Sequence, residues 1–240
     1  MNEIKYNKTD LIVSASKSVL GAIPFAGSLL SELVGELIPN QRLERLTKYV
    51  IELDEKLSKI SSEMLDSLKD KIDFIDLIEE GFVQASRAIT DVRRQYISSI
   101  IANGISDEDV SLNDSKYLLK ILQELNDVEI IWLRYYIHPY MGGDDEFREV
   151  HKNVLTPISV YMGSDRKTMV KASIQESYKE HLNRLELIES KIKLDDSLGV
   201  SVPVYDKFSK KPKTSSTSVT NLGRLLLKQI GLIEEKEEID

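Results

Sequence analysis

The chain has no cysteine. Disulfides, thiolate nucleophiles and zinc sites built on cysteine are therefore excluded, and the composition agrees with a reducing compartment. Histidine is scarce too: only His138, His151 and His181 occur, and no HExxH, GxSxG or CxxC pattern and no glycine-rich loop followed by lysine accompanies them. Positive charge is in deficit, with 32 Lys and Arg against 40 Asp and Glu and a net charge of −8. That argues against wholesale wrapping of nucleic acid while leaving room for one local basic face. A long hydrophobic run is also missing. The longest charge-free window, Ser18 to Ser31, covers 14 residues, whereas a membrane-crossing helix needs about 20. The N-terminus does not read as a secretory signal, because its apolar part starts late, carries Lys17 and contains Pro24. A cytoplasmic location is expected, with peripheral attachment at the inner membrane as an open alternative.

What remains is the profile of a globular protein: 240 residues, 41% hydrophobic and 30% charged. The pattern predicts a mainly α fold in two domains, an N-terminal helical domain over 1–104 and a winged-helix-like domain with a small β-hairpin over 105–240, ending in an acidic tail at 234–240. Segment 11–39 is apolar, and Pro24 between Gly21 and Gly27 should break it into two short helices forming a hairpin. Leu20, Ile23, Pro24, Phe25, Leu29 and Leu30 are its candidate contacts for a membrane or a partner, although the same residues would serve as core in a bundle. A long antiparallel helix pair is predicted next, at 41–70 and 72–103. Leu43, Leu46, Val50, Leu53, Leu57, Ile60 and Met64 form one seam, and Ile75, Ile78, Phe82, Ala85, Ile89, Val92 and Tyr96 form the other. Asn103 and Gly104 mark the end of the second helix.

The acidic stretch from Ile105 to Asp114 lacks the glycine and glutamate that close a calcium loop, so it reads as a turn. Helices follow from Ser115 to Leu125 and, capped by Asn126 or Asp127, through VEIIWLRYY. Asp165 caps a long helix running to about Ile188. The period then switches to alternation in KIKLDDSLGVSVPVYDKF (191–208), which predicts a β-hairpin. Residues 210–218 read as a basic Ser/Thr-rich loop, and Thr220 caps a last helix.

Helix, helix, longer helix, two-stranded wing and closing helix is the order of a winged-helix domain. The segments DVRRQYISSIIANG, LLKILQELNDVEIIWLRYY, HLNRLELI and TNLGRLLL also resemble, over roughly residues 90–233, the bacterial abortive-infection alpha family. That resemblance implies a role in defence against phage and supplies no active site to carry over. No catalytic residue, metal ligand or cofactor is assigned. The one cluster with ligand-type side chains is HPYMGGDDEFREVH, with His138, Asp144, Asp145, Glu149 and His151. A solvated acidic turn with a helix N-cap accounts for it better than a metal does. The expected function is non-enzymatic, through protein contacts or self-association, with membrane association as an extension. The competing class is a DNA-binding regulator with a helical dimerisation arm. In that reading Lys171, Lys179, Lys207, Lys210, Lys211 and Lys213 contact phosphates, although interleaved Glu176, Glu180 and Glu186 fit a solvated face equally well.

Overall fold

The computed structural model describes residues 40–140, 142–195, 201–206 and 210–234. The apolar segment 11–39, with Leu20, Ile23, Pro24, Phe25, Leu29 and Leu30, lies outside the described residues, as do Lys207 and 235–240 of the acidic tail. The fold is mainly helical, and the chain divides into two compact units: 1–124 with Gln229–Gly231, and 125–228 with 232–240. The first break between the units lies at Glu124/Leu125. The helix Leu112–Glu124 packs its apolar side on the helices Ile72–Arg87 and Asp91–Ser106 and so belongs to the first unit.

The first unit contains α1 (Asn40–Leu57), α2 (Ser62–Leu68), α3 (Ile72–Arg87), α4 (Asp91–Ser106) and α5 (Leu112–Glu124). The α1 helix packs on α3 and α4, and α5 packs on the same pair. The seam residues Leu43, Leu46, Val50, Leu53 and Leu57 are buried, as are Phe74, Leu77, Ile78, Phe82 and Ala85 on α3. Tyr49 meets Phe82 edge-on at 5.3 Å between ring centroids. Gly104 lets α4 and α5 approach closely, since a Cβ there would stand 2.0 Å from Ser115 Oγ. The Arg93 guanidinium donates to Leu122 O at 2.8 Å and ties α4 to α5 a second time.

Each predicted long helix is in fact two. The first stops at Leu57, and Ser61 starts α2 by accepting from Met64 N–H. In the second, Ala88 turns extended and Thr90 starts α4 by accepting from Arg93 N–H. Serine and threonine caps outweigh the continuing apolar period at both sites. Three seam positions consequently miss the core: Ile89 is 80% exposed, and Val92 and Met64 are exposed as well. The acidic turn after α4 supplies local bonds. Asp107 accepts from Asp109 N–H and from the Gln229 side chain, while Asp114 and Ser111 exchange bonds at the start of α5.

The second unit begins with α6 (Asp127–Tyr135), started by a capping box of Asn126 and Glu129. The short helices α7 (Asp145–Val150) and α8 (Lys152–Leu155) lead to α9 (Arg166–Arg184). Asp165 caps α9 by accepting from Thr168 N–H at 2.7 Å, and that bond holds its carboxyl below the usual range. The α9 helix stops at Arg184, before the expected Ile188, in a Schellman closure. Leu187 N–H reaches Leu182 O, and Glu186 N–H reaches Asn183 O, with Glu186 at φ +59°.

Strand β1 (Ile188–Ile192) then pairs antiparallel with β4 (Thr214–Val219), from Ile188 opposite Val219 to Ile192 opposite Thr214. The β2 (Leu194–Asp195) and β3 (Val202–Pro203) strands form a small inner pair. Residues 210–218, expected as a loop, hold most of β4, while Asp196 and Gly199 of the expected hairpin lie outside the described residues. The Ser/Thr-rich run TSSTSV suits an exposed strand, and there it supplies the partner of β1. Thr220 then bonds Glu186 O and Gly223 N–H and launches α10 (Asn221–Gln229).

Candidate interaction surface

The longest described helix of the second unit, α9, is unusually bare. In the 19 residues of α9 only Leu182 is buried. Leu182 anchors its C-terminal half, and packing against α6 is reinforced by a polar joint. His181 Nδ1 lies 2.7 Å from Glu129 Oε1, and the other Glu129 oxygen accepts from Asn126 N–H. The N-terminal half is held differently. Gln175 accepts from Ile158 N–H at 2.9 Å and donates to Thr156 O at 3.0 Å, fastening the connector 156–158 alongside the helix.

Between this connector and α9 runs an open groove of about 600 Å³, lined among others by Ile158, Val160, Met169, Glu176, Glu180 and Lys211. Met169, Val170 and Ile174 stay exposed on α9, as do Val160, Tyr161 and Met162 just before it. Because large apolar side chains rarely gather on a monomer surface without use, this region is the candidate contact surface.

The predicted phosphate-contacting lysines are scattered across this region and partly engaged. Lys171 is exposed on α9. Lys179 reaches Thr214 Oγ1 at 3.3 Å. Lys211 pairs with Glu180, whose bond and charge hold its ammonium above the usual lysine range. Lys213 lies 4.0 Å from Asp206. Lys210 is exposed at φ +57°. Ion pairs with Glu180 on α9 and with Asp206 after β3 occupy charge that phosphates would otherwise meet.

The histidine-and-acid cluster resolves into a clamp around a turn. Asp144 Oδ1 accepts from Phe147 N–H and starts α7, while its other oxygen receives Arg134 at 2.9 Å. The Arg134 guanidinium also lies over the Phe147 ring at 5.5 Å and donates to Leu232 O. Arg148 lies over Tyr135 and donates to the His138 and Tyr140 carbonyls. Glu149 pairs with Lys152, and the His151 ring rests on Phe147 at 4.5 Å. Asp145 faces Arg148 at 3.7 Å. These side chains point to cations and rings instead of a common centre, and among the described residues no group of three or more His, Asp or Glu is placed to hold a metal ion.

Sequence reasoning missed the clamp because its two arginines sit in unrelated positions of the pattern. The spacing of Arg134 from Asp144 carries no local signal. It also missed the bare half of α9, although the low count of large apolar residues in RKTMVKASIQES was legible.

Among the described residues no helix is long and apolar enough to cross a membrane. A comparison with protein-family models found no match. Comparisons with curated proteins and with solved structures found none either.

Proposed function

We propose that this chain is a non-enzymatic defence protein of the abortive-infection type that acts by contact, with the winged-helix-like second unit presenting α9 and its flanking turn to a partner. The observation that supports this reading is the burial pattern of α9: a long, well-capped helix keeps one side chain in the core and displays Met169, Val170 and Ile174. A helix so placed costs ordering entropy that its own packing offsets poorly, which suits a surface maintained for an external contact. The family resemblance of the sequence segments supplies the phage-defence part of the proposal. A homo-oligomer fits the same surface.

A DNA-binding regulator is the second reading, favoured by one observation: the order α6, α7–α8, α9, hairpin, α10 puts an exposed helix ahead of a wing. The Lys211–Glu180 and Lys213–Asp206 pairs weigh against it. Expression of the chain in a bacterial host challenged with a phage panel tests the first reading. The chain should lower plating efficiency, and Met169→Glu with Ile174→Glu should restore plating while circular dichroism stays unchanged. Full protection by that double variant would remove α9 as the contact surface. An electrophoretic shift lost on Lys210→Glu with Lys211→Glu would turn the assignment toward DNA.

A further inference from the structure

The turn before α9 is built in a way that the contact reading alone does not require. Val160, Tyr161 and Met162 are consecutive and all exposed, Tyr161 at 75% and Met162 at 95%. The exposure is held by the turn's own bonds. Ser164 N–H donates to Tyr161 O at 3.0 Å, and Ser164 Oγ accepts from Tyr161 N–H at 3.0 Å. Gly163 sits at φ +101°, as the third residue of a type II turn requires. Met162 therefore occupies the corner of a closed turn, and no rearrangement is needed to present it.

The charges beside the tip are one-sided. From 157 to 175 the chain carries Arg166, Lys167 and Lys171, all exposed, against the single acid Asp165. Asp165 is already engaged as the cap of α9. In a protein of net charge −8, three exposed cations thus lie within ten residues of Met162, the most exposed large apolar residue among the described residues.

We propose that the Val160–Met162 tip, with Arg166, Lys167 and Lys171, is a site for docking on an anionic lipid bilayer. The apolar corner enters the boundary between headgroups and acyl chains, and the three cations meet the anionic headgroups. Duplex DNA would satisfy the cations and leave Tyr161 and Met162 in water. The inference deepens the contact reading by naming one partner and rests on it only in assigning the work to this surface.

Sedimentation of the full chain with vesicles of phosphatidylcholine, alone or with one third phosphatidylglycerol, tests it. The parent should bind the anionic vesicles, bind the neutral ones more weakly, and be released by added salt. Tyr161→Ser with Met162→Ser should weaken binding about tenfold or more, in line with the loss of two inserted side chains. Arg166→Glu with Lys167→Glu should weaken it several-fold on anionic vesicles and leave the neutral ones unaffected. Ile89→Ser, which changes an equally exposed residue of the first unit, should bind as the parent does. The proposal is overturned if the parent ignores anionic vesicles, if the tip variant binds like the parent, or if the same substitutions abolish DNA binding instead. Loss of vesicle binding with phage protection intact would remove the lipid and leave the contact reading standing.

Discussion

The ion pair of Arg134 and Asp144 offers a quantitative check on whether the His138–His151 segment is a clamp or a ligand site. The Arg134 side chain is 10% exposed and Asp144 29%, with 2.9 Å between them. Breaking a fully buried pair from one side costs about 3–5 kcal/mol. The partial exposure of Asp144 lets water reach the pair, so about 2 kcal/mol is expected here. Asp144 also caps α7, a role that asparagine fills and alanine does not, worth about 1 kcal/mol. Asp144→Asn should therefore lose about 2 kcal/mol and Asp144→Ala about 3.

The readout is built in. Trp132 is the only tryptophan, it lies on α6, and its ring packs against Tyr135 and Tyr136, so its fluorescence in a urea titration follows the second unit. A double-mutant cycle of Arg134→Met with Asp144→Asn should give a coupling of about 2 kcal/mol. A Asp144→Asn midpoint equal to that of the parent would refute the energetic argument. So would a parent midpoint that rises on adding manganese or zinc and stops doing so in the Asn variant.

Three further outcomes follow from local geometry. Gly104→Ala should destabilise the first unit by about 1–3 kcal/mol despite alanine's better helix propensity, because its Cβ meets Ser115 Oγ, and Ser115→Gly should recover part of that loss in the double variant. Glu186→Gly should stabilise the second unit by about 1 kcal/mol in the same urea assay, since a left-handed residue closes α9 there. Burial is the main reason that the Glu52 carboxyl sits above its ordinary range, outweighing the attraction of Arg94. The folded state is therefore penalised when Glu52 is ionised, and the penalty fades as pH falls through its raised pKa and vanishes below the unfolded value. In a urea titration followed by far-UV circular dichroism, Glu52→Gln should raise the midpoint of the first unit at pH 7 and leave it unchanged at pH 3.

The residues that were legible in the sequence act through near neighbours. Asn126 with Glu129, Asp165 with Thr168, and Thr220 with Gly223 lie three positions apart, so side-chain chemistry alone located the starts of three helices. The buried stripe from Leu43 to Leu57 was equally clear, because one helix face repeats it. The breaks at Ser61 and Thr90 were hidden by an apolar period that runs through them, and a short polar cap decided the outcome against that period. The pairing of β1 with Thr214–Val219 was hidden for another reason. Its strand carries serine and threonine in place of alternating apolar residues, and its register depends on a partner more than twenty residues away. The exposure of Met169, Val170 and Ile174 was the least legible feature, since these residues look like core until the packing leaves them outside.

The central claim is that a displayed surface, and no chemical centre, carries the function. The most direct measurement is the phage plating efficiency of two variants side by side. One replaces Met169 and Ile174 with glutamate; the other combines His138→Ala, Glu149→Gln and His151→Ala. The account predicts that the first loses protection and the second keeps it in full. Protection surviving the first set and disappearing with the second would contradict it.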